Sequence, residues 1–290
     1  MHRYSALLAL ALVAGCAPRV SGSGEPRSET VQIGTSKVRI LYWPEDDAGA
    51  RQVIEAVRIA VPRTERWGGL EVPVTITIHP SHDALEAAVR RPGYAWLRAW
   101  ARYATIDLQS PSTWRIFGAR DEQVQELLTH ELTHCAMYQR AASEWSWSYK
   151  GIPLWFREGM ASQTADQGYR RGTVEDLWRF YEQGFPGAGD GELAAGTVAR
   201  VARGRGLEGD PLGDPEPMYQ ERSDVVYGAA HYAFGFLMDR YGEPRVRDIL
   251  ERMRAGAPFP QAFKDAIGVG ELEFVNEFRR YVIWQGWRRT

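Results

Sequence analysis

The first part of the chain combines strand-like and helix-like patterns of hydrophobic and polar positions. Residues 72–79 alternate apolar Val and Ile with polar neighbours, and a period of two is typical of a strand that buries one face. Strands are predicted over three segments: 38–43, 72–79 and 103–109. Helical spacing predicts a helix over residues 50–66, which Pro62 kinks or shortens, and a shorter helix that Ser81 caps and that ends at Arg90. This part is therefore predicted to be a small β-sheet with helices.

Beyond residue 118 the apolar positions follow a helical period almost throughout. The predicted helices cover residues 121–142, 153–166, 173–182 and 223–241, with shorter pieces from residue 246 to the C-terminus. Residues 184–217 hold many Gly and Pro and little apolar periodicity, so they are predicted to form a long loop. This order predicts an α+β fold, in which a β-rich part over residues 31–118 precedes a mainly helical lobe over residues 119–290.

The N-terminal residues are typical of an export signal. His2 and Arg3 precede an apolar run over residues 6–14, which is too short to be a stable membrane anchor. The run leads into Val-Ala-Gly-Cys16, which resembles a bacterial lipobox. The resemblance implies that the chain is cleaved before Cys16 and that its thiol receives diacylglycerol. The alternative is an ordinary secretory signal with an incidental cysteine.

The lipobox resemblance implies three regions along the chain. Residues 1–15 are the expected signal peptide, and residues 16–30 are a lipidated Cys16 with a flexible tether rich in Ser, Gly and Pro. Residues 31–290 form the folded domain. The expected location is the bacterial cell envelope, where the lipid would hold the domain on a membrane, facing the periplasm or the exterior.

Composition adds a few constraints on function. The 290 residues are 44% hydrophobic and 25% charged, which is typical of a globular protein, and a net charge of −2 gives no reason to expect nucleic acid as a partner. There are two cysteines, so a lipidated Cys16 leaves Cys135 without a disulfide partner, and Cys135 is expected to be a buried structural thiol. Eleven Trp include clusters over residues 96–114 and 145–155, which form either core packing or walls of a substrate cleft.

The predicted helix over residues 121–142 contains the segment His130-Glu131-Leu132-Thr133-His134. Residues four apart share one face of a helix, so His130 and His134 can point two imidazoles at one metal ion. Glu131 would lie beside them, where its carboxylate can accept the proton of a water that zinc activates for attack on a carbonyl. The spacing predicts a metallohydrolase with one Zn²⁺ per chain, and in the first place a peptidase.

A catalytic zinc usually has three protein ligands. The eleven residues after His134 contain neither His nor Gly, which excludes the metzincin pattern. The next predicted helix opens with Pro-Leu-Trp-Phe-Arg-Glu158-Gly-Met-Ala. Together with HELTH, this segment resembles the gluzincin metallopeptidases, and in particular the peptidase MA-like proteins with HExxH and PxWxxEGxA. The resemblance implies a zincin-like fold with the active site between its two parts, zinc bound by His130, His134 and Glu158, and Glu131 as general base.

The same resemblance implies a group that hydrogen-bonds the oxyanion, here Tyr227, with His231 as the second candidate and core packing as the alternative for both. In this class an edge strand in the place of residues 105–109 often pairs with an extended substrate, and the sequence leaves open which strand lies at the edge. His79 and His82 are expected to be structural. The GxMxN motif of the aminopeptidase version is absent upstream of HELTH, which leaves endopeptidase action or specialised processing open.

Three functions remain open at this point. The first is hydrolysis of peptide bonds in a peptide or protein substrate. The second is a catalytically inactive zinc-binding protein of the envelope, and the third is a zinc amidase that acts on cell-wall amides. The sequence has no recognisable peptidoglycan-binding segment, which argues mildly against the third.

Overall fold

The computed structural model describes residues 24–170 and 223–287, together with residues 174, 175, 177, 178 and 211–213 between them. The predicted signal peptide and Cys16 lie outside the described residues. So do most of the predicted helix over residues 173–182 and most of the predicted loop over residues 184–217. Within the described part of the chain, no helix is both long and apolar enough to cross a membrane.

A five-stranded mixed sheet forms the N-terminal part of the fold. Its strands are β1 Arg27–Ile33, β2 Ser36–Tyr42, β3 Val74–His79, β4 Ala99–Ala101 and β5 Thr105–Gln109. They lie in the order β1-β2-β3-β5-β4, with β2, β3 and β5 parallel and the two outer pairs antiparallel. The three strands predicted from the sequence are β2, β3 and β5, whose apolar positions alternate or run together.

Strand β1 corrects the predicted extent of the flexible tether, because it begins at Arg27 and not after residue 30. All seven of its residues pair with β2, from Arg27 opposite Tyr42 to Ile33 opposite Ser36. Most of its side chains are exposed and polar, so the sequence carries no apolar alternation there. Backbone hydrogen bonds stabilise this strand, and because they do not depend on the side chains, the sequence does not indicate them.

The sheet order answers a question that the sequence leaves open, namely which strand lies at the edge near residues 105–109. Strand β5 is internal, since β3 pairs with one side of it and β4 with the other. The edge on this side of the sheet is β4, a strand of three residues that is too short to give a periodic signal in the sequence.

The described helices agree with the predicted positions. Their bounds are α1 Asp47–Thr64, α2 His82–Val89, α3 Asp121–Ala141, α4 Leu154–Thr164, α5 Ser223–Tyr241, α6 Glu243–Arg254, α7 Phe259–Ile267 and α8 Glu271–Trp287. The Ser81 hydroxyl accepts a hydrogen bond from the N–H of Ala84 at 3.2 Å, as the predicted cap requires. Pro62 lies in the last turn of α1, so it shortens the helix and does not kink its middle.

Helix α3 belongs to two hydrophobic cores at once. On one side Leu128 and Leu132 join the core formed by the sheet and α1. Further along, Met137 and Tyr138 join the core of the helical lobe, which contains residues of α4 to α8. The fold is therefore α+β, as predicted, with a mixed sheet and helices followed by a mainly helical lobe. Helix α3 holds the HELTH segment where the two parts meet.

Candidate metal centre

Two helices bring His130, His134 and Glu158 together. His130 and His134 lie one turn apart on α3, and Glu158 faces them from α4. Their Nε2 atoms are 3.1 Å apart, and Glu158 Oε2 lies 3.2 Å from the Nε2 of His130 and 3.6 Å from that of His134. In the described part of the chain, these three are the residues whose ligand atoms could hold a metal ion.

The triangle of these three atoms has the size that a tetrahedral zinc site requires. Zinc binds nitrogen and oxygen at about 2.0–2.1 Å, so the tetrahedral angle sets neighbouring ligand atoms about 3.3 Å apart. The three separations of 3.1, 3.2 and 3.6 Å scatter around that value. Two neutral imidazoles and one carboxylate are also ligands that zinc accepts. The residues therefore fit a zinc ion with one coordination position left open.

The orientation of His130 is fixed by Gln167, in a 3₁₀ turn that follows α4. His130 donates from Nδ1 to Gln167 Oε1 at 3.0 Å. This bond selects the tautomer whose Nε2 lone pair points at the other two ligands, as polar partners of metal-binding histidines generally do. The corresponding Nδ1 of His134 is buried without a hydrogen-bond partner among the described residues.

Glu131 is a buried carboxylate beside the three ligand atoms. The pKa of Glu131 is raised to about 7, chiefly by burial and also by the nearby charge of Glu158. The contact with His130 and a backbone hydrogen bond from Ala101 act in the opposite direction and are outweighed. A carboxyl group in this range can both accept and release a proton near neutral pH.

Glu158 is charged despite its burial. Burial by itself would raise the pKa of Glu158, but its close contacts with His134 and His130 outweigh burial and hold the pKa well below its usual range. Gly159 next to it lets α4 pack closely on α5. A Cβ atom at Gly159 would lie only 2.4 Å from the carbonyl oxygen of Ala230. The EG pair in the motif thus supplies a carboxylate and the close helix contact that positions it.

A cavity of about 120 Å³ opens over these residues. Its walls come from the segment around β4, from α3 and α4, and from the start of α5. They comprise Trp96, Leu97, Ala99, Trp100, Ala101, His130, Glu131, His134, Tyr138, Arg157, Glu158 and Tyr227. Tyr227 packs edge-on against Trp96, with ring centroids 6.1 Å apart. The structure therefore brings all five candidate residues of the active site to one cavity.

The other three histidines of the described residues, His79, His82 and His231, lie outside the cavity. His231 is buried, and its ring nitrogens lie 2.9 Å from Ser162 Oγ and 3.1 Å from Gln163 Nε2, so it joins α5 to α4 and does not line the cavity. His79 lies 2.8 Å from Asp107 within the sheet, and His82 contacts Glu86. The expectation that His79 and His82 are structural agrees with these contacts.

Three residues near the candidate metal ligands are not predicted from the sequence. Tyr138 and Arg157 line the cavity, and Gln167 holds His130. Tyr138 lies four residues after His134, so the helical period that relates His130 to His134 could have found it. Burial raises the pKa of Tyr138 to about 12, and its hydroxyl therefore stays protonated at neutral pH. Gln167 comes after α4 ends, and no local pattern marks it.

The tryptophans serve both of the roles considered for them. Trp155 is buried in the helical core, where it stacks on Phe274 at 5.3 Å. Trp96 and Trp100 instead line the cavity. Cys135 is fully buried, as expected, and donates from its thiol to the carbonyl of Arg102 at 3.1 Å.

Comparison with known proteins adds a loose likeness. No protein-family model and no curated protein matches the sequence. Among solved structures, the fold is similar to a two-domain M1 zinc metallopeptidase mutant bound to L-arginine, at 13% identity and a TM-score of 0.45, over 89% of this chain and 51% of that chain. It is also similar to an aminopeptidase N family protein from Idiomarina loihiensis, at 12% identity and a TM-score of 0.37, over 90% of this chain and 42% of that chain. This chain thus spans about half the length of those proteins, and a likeness at this level does not assign an activity.

Proposed function

We propose that the protein is a zinc-dependent peptidase of the gluzincin type. One observation carries the proposal: the ligand atoms of His130, His134 and Glu158 form a triangle of zinc dimensions, and the buried carboxylate of Glu131 shares their cavity. A site that only held zinc for structure would be closed by a fourth ligand and would have no use for a proton-accepting group beside it.

The chemistry follows from the residues around the open position. When bound, zinc would supply a Lewis acid that polarises the substrate carbonyl and makes a water molecule more acidic. Glu131 accepts the proton of the attacking water and returns it to the departing amine, a task that suits a carboxyl group whose pKa lies near 7. The hydroxyl of Tyr227, which lines the same cavity, donates a hydrogen bond to the oxyanion that develops on the carbonyl.

Strand β4 favours an extended peptide as the substrate. The backbone carbonyl of Arg98 accepts a hydrogen bond from the N–H of Gln109 at 2.8 Å, and the N–H of Arg102 donates one to the carbonyl of Thr105 at 2.8 Å. In an antiparallel ladder the residues between such pairs turn their backbone groups the other way, so Ala99 and Ala101 direct theirs away from β5. Both alanines line the cavity. The N–H of Ala101 already bonds the Glu131 carboxylate, so a substrate strand can pair with the backbone of Ala99 and the carbonyl of Ala101 while its scissile bond lies over the ligands.

We further propose that Cys16 anchors the enzyme to a membrane of the bacterial envelope through lipid. The support is the sequence Val-Ala-Gly-Cys16 after an apolar run over residues 6–14. Mass spectrometry of the N-terminal peptide tests this proposal directly. It should begin at Cys16 and carry the mass of acyl chains, whereas an unmodified cysteine or a cleavage elsewhere would contradict it.

Cleavage of a mixed peptide pool tests the activity. The zinc-loaded protein should produce defined cleavage products that disappear with a chelator and return when zinc is added back, and the zinc content should be measured on the same samples. A protein that holds one zinc ion yet cuts no peptide would contradict the peptidase proposal and favour the inactive zinc-binding protein. Release of amines from purified cell wall, without peptide cleavage, would favour the amidase.

A further inference from the structure

The most exposed large apolar side chains of the described chain are two neighbours, Ile116 and Phe117. They are 94% and 98% exposed, and they lie at the tip of the turn between β5 and α3. Two adjacent apolar side chains held fully in water are unfavourable unless a partner covers them. We name this turn, residues 115–118, the apolar loop.

The base of the apolar loop is firmly held, so the exposure does not come from a loose chain. The N–H of Gly118 binds the carbonyl of Arg115 at 3.0 Å, and the N–H of Ala119 binds the carbonyl of Pro111 at 2.8 Å. Just before the loop, the Trp114 indole donates to the carbonyl of Gln109 at 3.0 Å. Gly118 adopts a φ of +77°, which favours glycine and closes the turn. The backbone is thus shaped to present the two side chains outward.

The apolar loop lies on the side where the chain enters the domain. Gly24 adjoins Pro44, since a Cβ atom on it would lie 3.9 Å from Pro44 Cγ. Two residues after Pro44, Asp46 accepts a hydrogen bond at 2.9 Å from the hydroxyl of Ser112, close to the base of the loop. Seven residues lie between Cys16 and Gly24, so the two Cα atoms can be at most about 29 Å apart. An acyl chain on Cys16 would therefore keep this side of the domain close to a bilayer.

Charge around the apolar loop is mixed, so the two apolar side chains carry the contact. Arg51 lines a shallow depression of about 420 Å³ together with Ile116 and Phe117, Arg115 belongs to the loop, and Arg120 follows it; all three arginines are exposed. The neighbouring carboxylates include Asp46, Asp47, Asp121 and Glu122. Asp47 pairs with Arg27, whereas Asp46 and Asp121 keep their charge and accept hydrogen bonds from Ser112 and Gln52. When Ile116 and Phe117 are inserted, the exposed arginines can pair with the phosphates that every phospholipid headgroup carries.

We propose that the apolar loop inserts Ile116 and Phe117 into the surface of the membrane that carries the lipid anchor. This inference rests on the proposed anchoring through Cys16 and not on the peptidase chemistry. The anchor keeps the loop at high local concentration next to the bilayer, so even a weak second contact is occupied. Two contacts hold the domain in one orientation on the surface, where a single tether would let it turn freely.

Depth-dependent quenching in vesicles tests the proposal. The acylated protein is incorporated into vesicles of phosphatidylethanolamine and phosphatidylglycerol, with an environment-sensitive fluorophore on the Phe117→Cys variant. Cys135 is fully buried and escapes labelling, and the exposed Lys264 on α7 provides a matched control as Lys264→Cys. Brominated lipids should remove most of the emission at position 117 and none at position 264.

Other results would overturn the inference in recognisable ways. A protein that floats with the vesicles while the probe at position 117 stays in water overturns the loop contact and leaves the anchor intact. A protein that does not float overturns both. A blue shift that appears without vesicles and grows with protein concentration assigns the loop to contact with a second copy. Zinc content and peptide cleavage, measured on the same samples, report separately on the proposed peptidase.

Discussion

Gly159 offers a sharp test of how the fold positions the zinc ligands. It follows Glu158 in α4 and lies against α5, where an alanine Cβ would come within 2.4 Å of the Ala230 carbonyl oxygen and 2.5 Å of Phe234 Cβ. Real Cβ contacts stay beyond 3.0 Å, so the two helices would have to separate by about 0.6 Å in Gly159→Ala. A backbone carbonyl cannot rotate aside as a flexible side chain can. The separation would therefore move Glu158 relative to the two histidines on α3.

The size of the effect follows from two opposing contributions. Alanine in place of glycine in a helix stabilises by about 1 kcal/mol. Overpacking of a tight interface costs about 1–3 kcal/mol, and the rigid contact of Gly159 with Ala230 puts this substitution at the upper end. We expect Gly159→Ala to lower the free energy of unfolding by about 2 kcal/mol and to weaken zinc binding as well.

The assay is denaturant unfolding, combined with zinc competition against a chromogenic chelator. Gly235→Ala is the matched control, because Gly235 lies in α5 at the same interface but its added Cβ would meet the flexible end of Gln163, at 2.9 Å. This control should change the free energy of unfolding by less than about 1 kcal/mol, with unchanged zinc affinity, because the helix propensity of alanine offsets a loosened hydrogen bond between Gln163 and His231. Equal behaviour of the two variants would refute the claim that the α4–α5 contact positions Glu158.

Two further predictions concern hydrogen bonds around the site and in the sheet. Gln167→Leu removes the partner of His130 Nδ1 and should weaken zinc binding by about 10–100-fold, measured by the same competition, with little change in stability. The pKa of Asp107 is raised by burial but lowered on balance by hydrogen bonds from His79 and Arg102. The ionised form of Asp107 therefore stabilises the fold at pH values above its pKa in the unfolded chain, about 3.9. This stabilisation is lost as the pH falls through the lower pKa that Asp107 has in the folded protein. Asp107→Asn should thus be less stable than the wild type at neutral pH in denaturant unfolding, and the difference should shrink below about pH 4; a difference independent of pH would contradict this reasoning.

Local patterns explain which features could be predicted from the sequence. The spacing of His130 and His134 places both on one face of a helix whatever the rest of the chain does, and the motif resemblance supplied Glu158. Strand β2 carries apolar residues at buried positions, and Ser81 marks a helix start. Each of these signals lies within a few residues, where short-range geometry decides the outcome.

The features that escaped prediction depend on tertiary contacts. Strand β1 is mostly polar, and it forms because β2 pairs with its backbone. Strand β4 has three residues, which are too few to show a periodic pattern. The sequence leaves the edge strand open because strand order is a property of the whole sheet. Gln167 meets His130 across 37 positions of sequence, and nothing in either segment indicates that contact.

The central claim is that Glu131 accepts the proton of the attacking water at a zinc ion held by His130, His134 and Glu158. The Glu131→Gln variant tests this claim most directly. Zinc content and peptide hydrolysis should be measured side by side in the wild type and the variant. We predict one zinc ion per chain in both proteins and a loss of hydrolysis of about 10²–10⁴-fold in the variant, because glutamine keeps the shape of the side chain but cannot accept the proton. A variant that holds zinc and still hydrolyses peptides at the wild-type rate would contradict the account.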